Sequence, residues 1–161
     1  MDCRHIQFCA EKSKIDLEQL QGLFNLTAFW AQERKIEDLE VAIANSDPVI
    51  SVWDETRLIG FARATSDGVY RASIWDVVIH PEYRGAGLGS KLVETVVSHP
   101  RLSRVERVYL MTTHQQSFYQ KIGFKENQTT TMVLSNSNSP SITELKNHEI
   151  GVISDHLSVT N

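Results

Sequence analysis

Arg84-Gly85-Ala86-Gly87-Leu88-Gly89 stands between the apolar run Trp75-Asp76-Val77-Val78-Ile79 and an amphipathic stretch from Leu88 to Val97. The order predicts a buried strand that passes through a side-chain-poor loop into a helix. The first amides of a helix lack intrahelical partners and the helix dipole favours negative charge there, so this junction is suited to bind phosphate. Glycines remove the Cβ atoms that would hold a phosphate away.

Three kinds of loop carry such glycines. The ATP-type loop requires Gly-x-x-x-x-Gly-Lys-Ser/Thr, and here Gly89 is followed by Ser90-Lys91, which misplaces the metal-binding hydroxyl. A dinucleotide fingerprint built on Gly85 and Gly87 requires glycine or alanine at Ser90, and it belongs to the first strand of a βαβ unit. A plain turn without a ligand would not need the fixed positive charge of Arg84 beside the glycines. An anion other than a nucleotide held in those two ways fits best.

The chain has 161 residues, 41% of them hydrophobic, enough for one domain with a full core. Its formal charge of −4 supplies no overall basic footprint, so nucleic acid is not the expected partner. Cys3 and Cys9 lie too far apart along one strand to bridge, which fits a reduced compartment. Neither a signal region nor a run of membrane-spanning length is present in the sequence, so the expectation is a cytoplasmic protein, or one of the plastid stroma, with no membrane partner.

Along the chain, Ile6 to Cys9 reads as an opening strand. Leu17, Leu20, Leu23 and Phe24 then mark a helix beginning at Asp16, and Ile36, Leu39 and Ile43 mark a second. Phe29 and Trp30, between these helices, are candidates for a substrate-side wall or for core. Val49 to Trp53, Leu58 to Ala64 and Val69 to Ile79 form an antiparallel meander across Asp54–Arg57 and Asp67-Gly68. After the glycine loop and its helix, Val105 to Met111 reads as a strand. Thr113-His114-Gln115-Gln116 fits a capping box for a short helix ending at Gly123, and Phe124 to Leu134 supplies a last strand or strand pair. From Ser135 the chain turns polar and low in complexity, which divides it into a domain over 1–134 and a linker and tail over 135–161. Ile150, Val152 and Ile153 are the residues of the tail that could dock.

Arg84-Gly85-Ala86-Gly87-Leu88-Gly89 resembles the Arg/Gln-x-x-Gly-x-Gly/Ala signature of the GNAT superfamily of N-acetyltransferases, and Phe118-Tyr119-Gln120-Lys121-Ile122-Gly123-Phe124 resembles its second signature. Gly60 to Ile79 looks like the cyanobacterial and plastid branch, described as serotonin N-acetyltransferases, with some members acting on protein lysines. The resemblance spans Ile6 to Leu134. It implies an α+β fold with a mixed, mostly antiparallel sheet of about six to seven strands flanked by about four helices. It also implies acetyl-CoA as donor, with Arg84, Gly85, Ala86, Gly87, Leu88, Gly89 and Ser90 at its pyrophosphate and the backbone of Val77, Val78 and Ile79 along its pantetheine arm. The family's asparagine before the Phe-Tyr pair is absent, and Ser117 or Thr113 would replace it.

Residue chemistry adds roles. Asp76 is a carboxylate in an apolar strand: either a general base that takes the proton of the amine, or a structural partner of Arg63 or Arg71. Strand alternation would place it with Ile74 and Val78, opposite Trp75, Val77 and Ile79. His80 could share the proton path. Tyr119 is the candidate acid for the departing thiolate, with Tyr83 a weaker second. Phe29, Trp30 and Trp75 are the aromatics expected at the amine. No catalytic cysteine and no metal are expected, since the six histidines show no ligand spacing. The function expected is direct transfer to a primary amine, an arylalkylamine such as serotonin before a protein lysine, with a homodimer left open. A CoA-binding sensor without chemistry and an interaction module using the tail are the rival classes.

Overall fold

Asp16 ends an extended segment and its carboxylate accepts from the amides of Glu18 and Gln19, both at 3.1 Å, which starts helix α1, Leu17–Thr27. Leu20, Leu23 and Phe24 recur at helical spacing and are fully buried. The computed structural model describes residues 5–134 and Asn136, and three further helices follow: α2 Ile36–Ala44, α3 Leu88–Val97 and α4 Gln116–Lys121. Strands β1 Ile6–Cys9, β2 Val49–Asp54, β3 Arg57–Ser66, β4 Arg71–Ile79 and β5 Arg107–Leu110 form one sheet in that order. Each neighbouring pair is antiparallel except β4 and β5, which are parallel.

Two apolar layers sandwich the sheet. Leu20, Leu23 and Phe24 of α1 and Leu39 and Ile43 of α2 pack with Val49, Phe61 and Val78 on one face. Leu92, Val93 and Val96 of α3, with Phe118 and Tyr119 of α4 and Ile122 at its C-cap, cover Val52, Ala62, Ala64 and Ile74 on the other. Both halves of the expected meander and its four helices are thus present.

The strand number is lower than the sequence suggested. The chain divides after Lys125, every element lies in the first unit, and in the second the described residues form no strand. Lys125 to Leu134 is exposed throughout. Its run of Lys, Glu, Asn and Gln offers no alternating apolar face, and Met132, Val133 and Leu134 at its end are contiguous rather than alternating and stay exposed. The tail expected over 135–161, with Ile150, Val152 and Ile153, lies outside the described residues apart from Asn136, as does Cys3; Cys9 is a free thiol. The capping box also fails: Gln115 is the N-cap of α4 and makes no side-chain cap, while its amide donates to Thr112 Oγ1 at 3.1 Å.

A β-bulge in β4 changes what faces where. Phe61 stands opposite Val78 and Arg63 opposite Trp75, so β4 spends one residue more than β3 over this stretch. Asp76 absorbs the extra residue with φ 56°. The left-handed region is tolerated by aspartate better than by the β-branched residues around it. Strict alternation is therefore broken. Ile74, Val77 and Ile79 pack with the α3 side, whereas Trp75, Asp76 and Val78 turn toward α1 and α2.

Candidate active site at the split between two strands

The ladder between β4 and β5 runs only from Arg71 opposite Arg107 to Ile74 opposite Leu110. Beyond Ile74, β4 continues to Ile79 while β5 has ended. Trp75 to Ile79 thus pair with β3 on one side and, among the described residues, present an open edge on the other. Such an edge can accept an extended ligand as an added strand.

The open edge leads into the glycine loop. His80 to Tyr83 make one tight turn, with the Tyr83 amide donating to His80 O at 2.9 Å. Arg84 then reaches back, its Nε donating to Ile79 O at 3.1 Å, which ties the loop to the end of β4. Gly85 and Gly87 take φ 81° and 77°, and a Cβ at either would meet nothing within 4 Å. Gly87 is the N-cap of α3 and no side chain caps that end. The first helical bond joins the Lys91 amide to Gly87 O at 3.1 Å, so the amides of Leu88, Gly89 and Ser90 precede the ladder. This exposed concavity, bare of side chains and lined by amides at the positive end of a ten-residue helix, fits a pyrophosphate. A Cβ on Gly89 would lie 3.4 Å from the Phe118 ring, which sets α4 close beside the loop.

Asp76 lies on the opposite face of the split from α4. Its side chain is 6% exposed, and Oδ2 accepts from Arg63 Nε at 2.6 Å and from Arg34 Nη1 at 3.1 Å. Of the two partners foreseen for it, Arg63 is present and Arg71 is not: Arg71 reaches Glu106 at 3.4 Å instead. Arg34 had no signal in the sequence. It sits in the α1–α2 connection, 42 residues from Asp76, and only the packing of that connection against the bulge brings the pair together.

Tyr119 lies on α4 with its ring edge-on to Phe118 at 4.9 Å and to Phe124 at 5.9 Å, packed against the α3 layer. Burial holds its phenol above the ordinary value of 10.0. Ser117 is exposed on the same helix. Tyr83, the second candidate acid, is buried and its hydroxyl donates to Asp54, which raises its own pKa first of all. That proton is committed to a carboxylate at the far end of β2. Phe29 and Trp30 form an edge-on pair at 5.1 Å in a short turn after α1, with Trp30 45% exposed. Trp75 is partly buried and donates from Nε1 to Thr65 Oγ1 at 2.9 Å.

His80 closes the end of β4, its Nε2 2.9 Å from Arg57 Nη2 and its Nδ1 accepting from the Glu82 amide at 3.3 Å. Burial, then the Arg57 charge, hold its pKa below 6.5 against the opposing pull of Glu82, with a smaller contribution from Arg84. The folded state therefore favours neutral imidazole. The stability this gives is present above the imidazole's ordinary range and is lost as pH falls, because the unfolded chain binds the proton more readily. Urea unfolding at about pH 7.5 and about pH 5.5 should show a drop in the native protein that is smaller in His80→Gln. Equal drops in both would assign the acid sensitivity elsewhere. Among the described residues no group of three or more His, Cys, Asp or Glu could hold a metal ion, and no helix is long and apolar enough to cross a membrane.

Comparison with known proteins gives the same assignment. Residues 15–124 match the model of the acetyltransferase (GNAT) family. The chain is 34% identical over 131 residues to the uncharacterized N-acetyltransferase ycf52 of Pyropia yezoensis, covering 76% of this chain and 74% of that one. It is 33% identical over 113 residues to GCN5-related N-acetyltransferase 1, chloroplastic, of Arabidopsis thaliana, covering 68% of this chain and 56% of that one. It is also 33% identical over 123 residues to histone acetyltransferase TAP1 of Glycine max, covering 69% and 52%. Among solved structures, a putative acetyltransferase of the same family from Xanthomonas campestris superposes with a TM-score of 0.69 at 28% identity, over 77% of this chain and 87% of the other. With the split sheet, the bare glycine loop and the second signature on α4 in place, the chain belongs to the acetyltransferase (GNAT) family.

Proposed function

We propose that the protein transfers an acetyl group from acetyl-CoA to a primary amine by direct attack in a ternary complex, and that the amine is an arylalkylamine of the serotonin type. The observation that carries the reading is the open edge of β4 running from Trp75 to Ile79 into the glycine loop. Val77, Val78 and Ile79 would hold the pantetheine arm, and Arg84 to Ser90 the pyrophosphate; acetyl-CoA, when bound, supplies the acetyl group as a thioester.

The two reacting ends of the site lie on opposite faces of the split. Asp76 turns to the α1–α2 face, and both guanidinium contacts fall on its Oδ2. Oδ1 is then the atom that takes the proton an ammonium must lose before its nitrogen lone pair can attack, directly or through one water. Arg63 and Arg34 fix the carboxylate so that Oδ1 keeps one orientation. On the α3–α4 face, Tyr119 gives its phenolic proton to the sulfur as the carbon–sulfur bond breaks, and the second proton shed by the acylated nitrogen returns through water to the phenolate; its raised pKa keeps the proton in place at neutral pH between turnovers. The Phe29–Trp30 pair, with Trp30 half exposed in the same α1–α2 connection that carries Arg34 to Asp76, supports an aromatic substrate.

The soybean relative's name supports a second reading, a protein lysine as acceptor. Initial rates of thiol release on serotonin and on a lysine peptide decide between them. Faster release with serotonin is expected; faster release with the peptide assigns the lysine, and inactivity on both removes both acceptors. The chloroplastic Arabidopsis relative supports a plastid setting for the reaction.

A further inference from the structure

At the far end of the sheet from the glycine loop, the β3–β4 turn, the C-terminus of α2 and the segment after α3 enclose a groove of about 570 Å³. Its charged lining is Lys12, Arg101, Arg104, Asp47 and Asp67. The two acids are already engaged. Asp67 accepts from the amides of Val69, Tyr70 and Arg71 at 2.9, 2.7 and 3.1 Å, and Asp47 pairs with Arg101 at 2.8 Å. Lys12 spends one donor on Ala44 O at 3.3 Å, which leaves two. Nothing among the described residues pairs with Arg104. A groove with spare cationic donors in a chain of net charge −4 selects for anions.

The floor of the groove includes Ser46, 1% exposed. Its hydroxyl donates to Ala42 O at 2.7 Å and accepts from Arg63 Nη1 at 3.1 Å. Arg63 turns its other edge to the bulge, Nε to Asp76 Oδ2 at 2.6 Å, and the same oxygen accepts from Arg34. One guanidinium therefore bridges the groove and the proposed reaction centre.

We propose that this groove is a regulatory site for a small phosphate-bearing anion, held by Lys12 and Arg104 and felt at Asp76 through Ser46 and Arg63. The binding site stands independently of the acceptor amine, whereas its regulatory role rests on Asp76 serving the proposed transfer. Two oxygens of a phosphate can be shared between an ammonium and a guanidinium fork, and a ligand that draws on the Asn45–Asp47 segment alters how firmly Ser46 holds Arg63. Coupling follows from that shared arginine.

The test is a calorimetric titration of inorganic phosphate, at constant ionic strength, into protein saturated with acetyl-CoA, so that the glycine loop is already filled. Native protein should bind saturably, and the double variant Lys12→Ala/Arg104→Ala should lose at least about tenfold in phosphate affinity with acetyl-CoA affinity unchanged. Saturating phosphate should also change the acetylation rate of the native protein by at least about twofold and leave the double variant's rate unmoved. Absence of saturable binding, or equal affinity in the double variant, overturns the site. Binding with an unaltered rate overturns its regulatory role. Should acetyl-CoA itself fail to bind, the comparison of native and double variant still separates the groove from the loop, because only groove binding depends on Lys12 and Arg104.

Discussion

Replacement of Gly87 by valine should weaken acetyl-CoA binding by at least about a hundredfold, with alanine closer to about tenfold. Gly87 holds φ 77° at the N-cap of α3. A left-handed residue with a Cβ costs about 1–2 kcal/mol, and a β-branched one costs more because both γ carbons crowd the backbone. Sterics act in the same direction. A Cβ there projects into space with nothing within 4 Å, the space in which an anion would meet the amides of Leu88, Gly89 and Ser90. Relief of strain could move the loop, but Arg84 Nε, bonded to Ile79 O, anchors its first residue to β4. Calorimetric titration with acetyl-CoA measures the loss, and thermal unfolding of each variant without ligand shows whether the loop alone has changed. A valine variant that binds as tightly as the native chain would place the pyrophosphate elsewhere.

The parts of this molecule that obey local rules were legible in its sequence. Leu20, Leu23 and Phe24 in α1 and Leu88, Leu92, Val93 and Val96 in α3 declare their buried faces by spacing alone. The glycine loop was legible because its chemistry is carried by contiguous residues. The bulge at Asp76 was not, since a single residue in the left-handed region shows itself only as a register shift against β3. That one residue reverses the expected company of Trp75, which shares the α1–α2 face with Asp76 and Val78. Arg34 was invisible for another reason: an ion pair closed by the docking of a connection leaves no periodic trace in the chain. The segment from Lys125 to Leu134 shows the converse error: a strand was expected there, but a polar run followed by contiguous Met132, Val133 and Leu134 has no alternating face to bury.

Asp76→Asn and Tyr119→Phe should each reduce kcat by roughly a hundredfold or more, and a different second measurement checks each. Asparagine keeps the size of the side chain and can accept hydrogen bonds from Arg63 and Arg34 through its carbonyl, yet it cannot take a proton. Turnover should therefore fall in Asp76→Asn while the unfolding temperature is retained. If Asp76 is only the counter-charge of two arginines, the outcome differs in kind: the unfolding temperature falls together with the rate. For Tyr119 the readout is the pH profile. Burial disfavours the phenolate, so the folded state keeps the proton as pH rises through 10.0, and the alkaline limb of the native profile should lie above that value. Loss of that limb in Tyr119→Phe identifies the phenol as the acid, whereas a phenylalanine variant with native kcat and an intact limb leaves the ring as packing for Phe118 and Phe124. If, as proposed, Asp76 takes a proton from the amine and Tyr119 gives one to the sulfur, their losses should be far from additive. The double variant should be little slower than the worse of the two singles, since attack and departure complete one transfer and removing either group already leaves it uncatalysed.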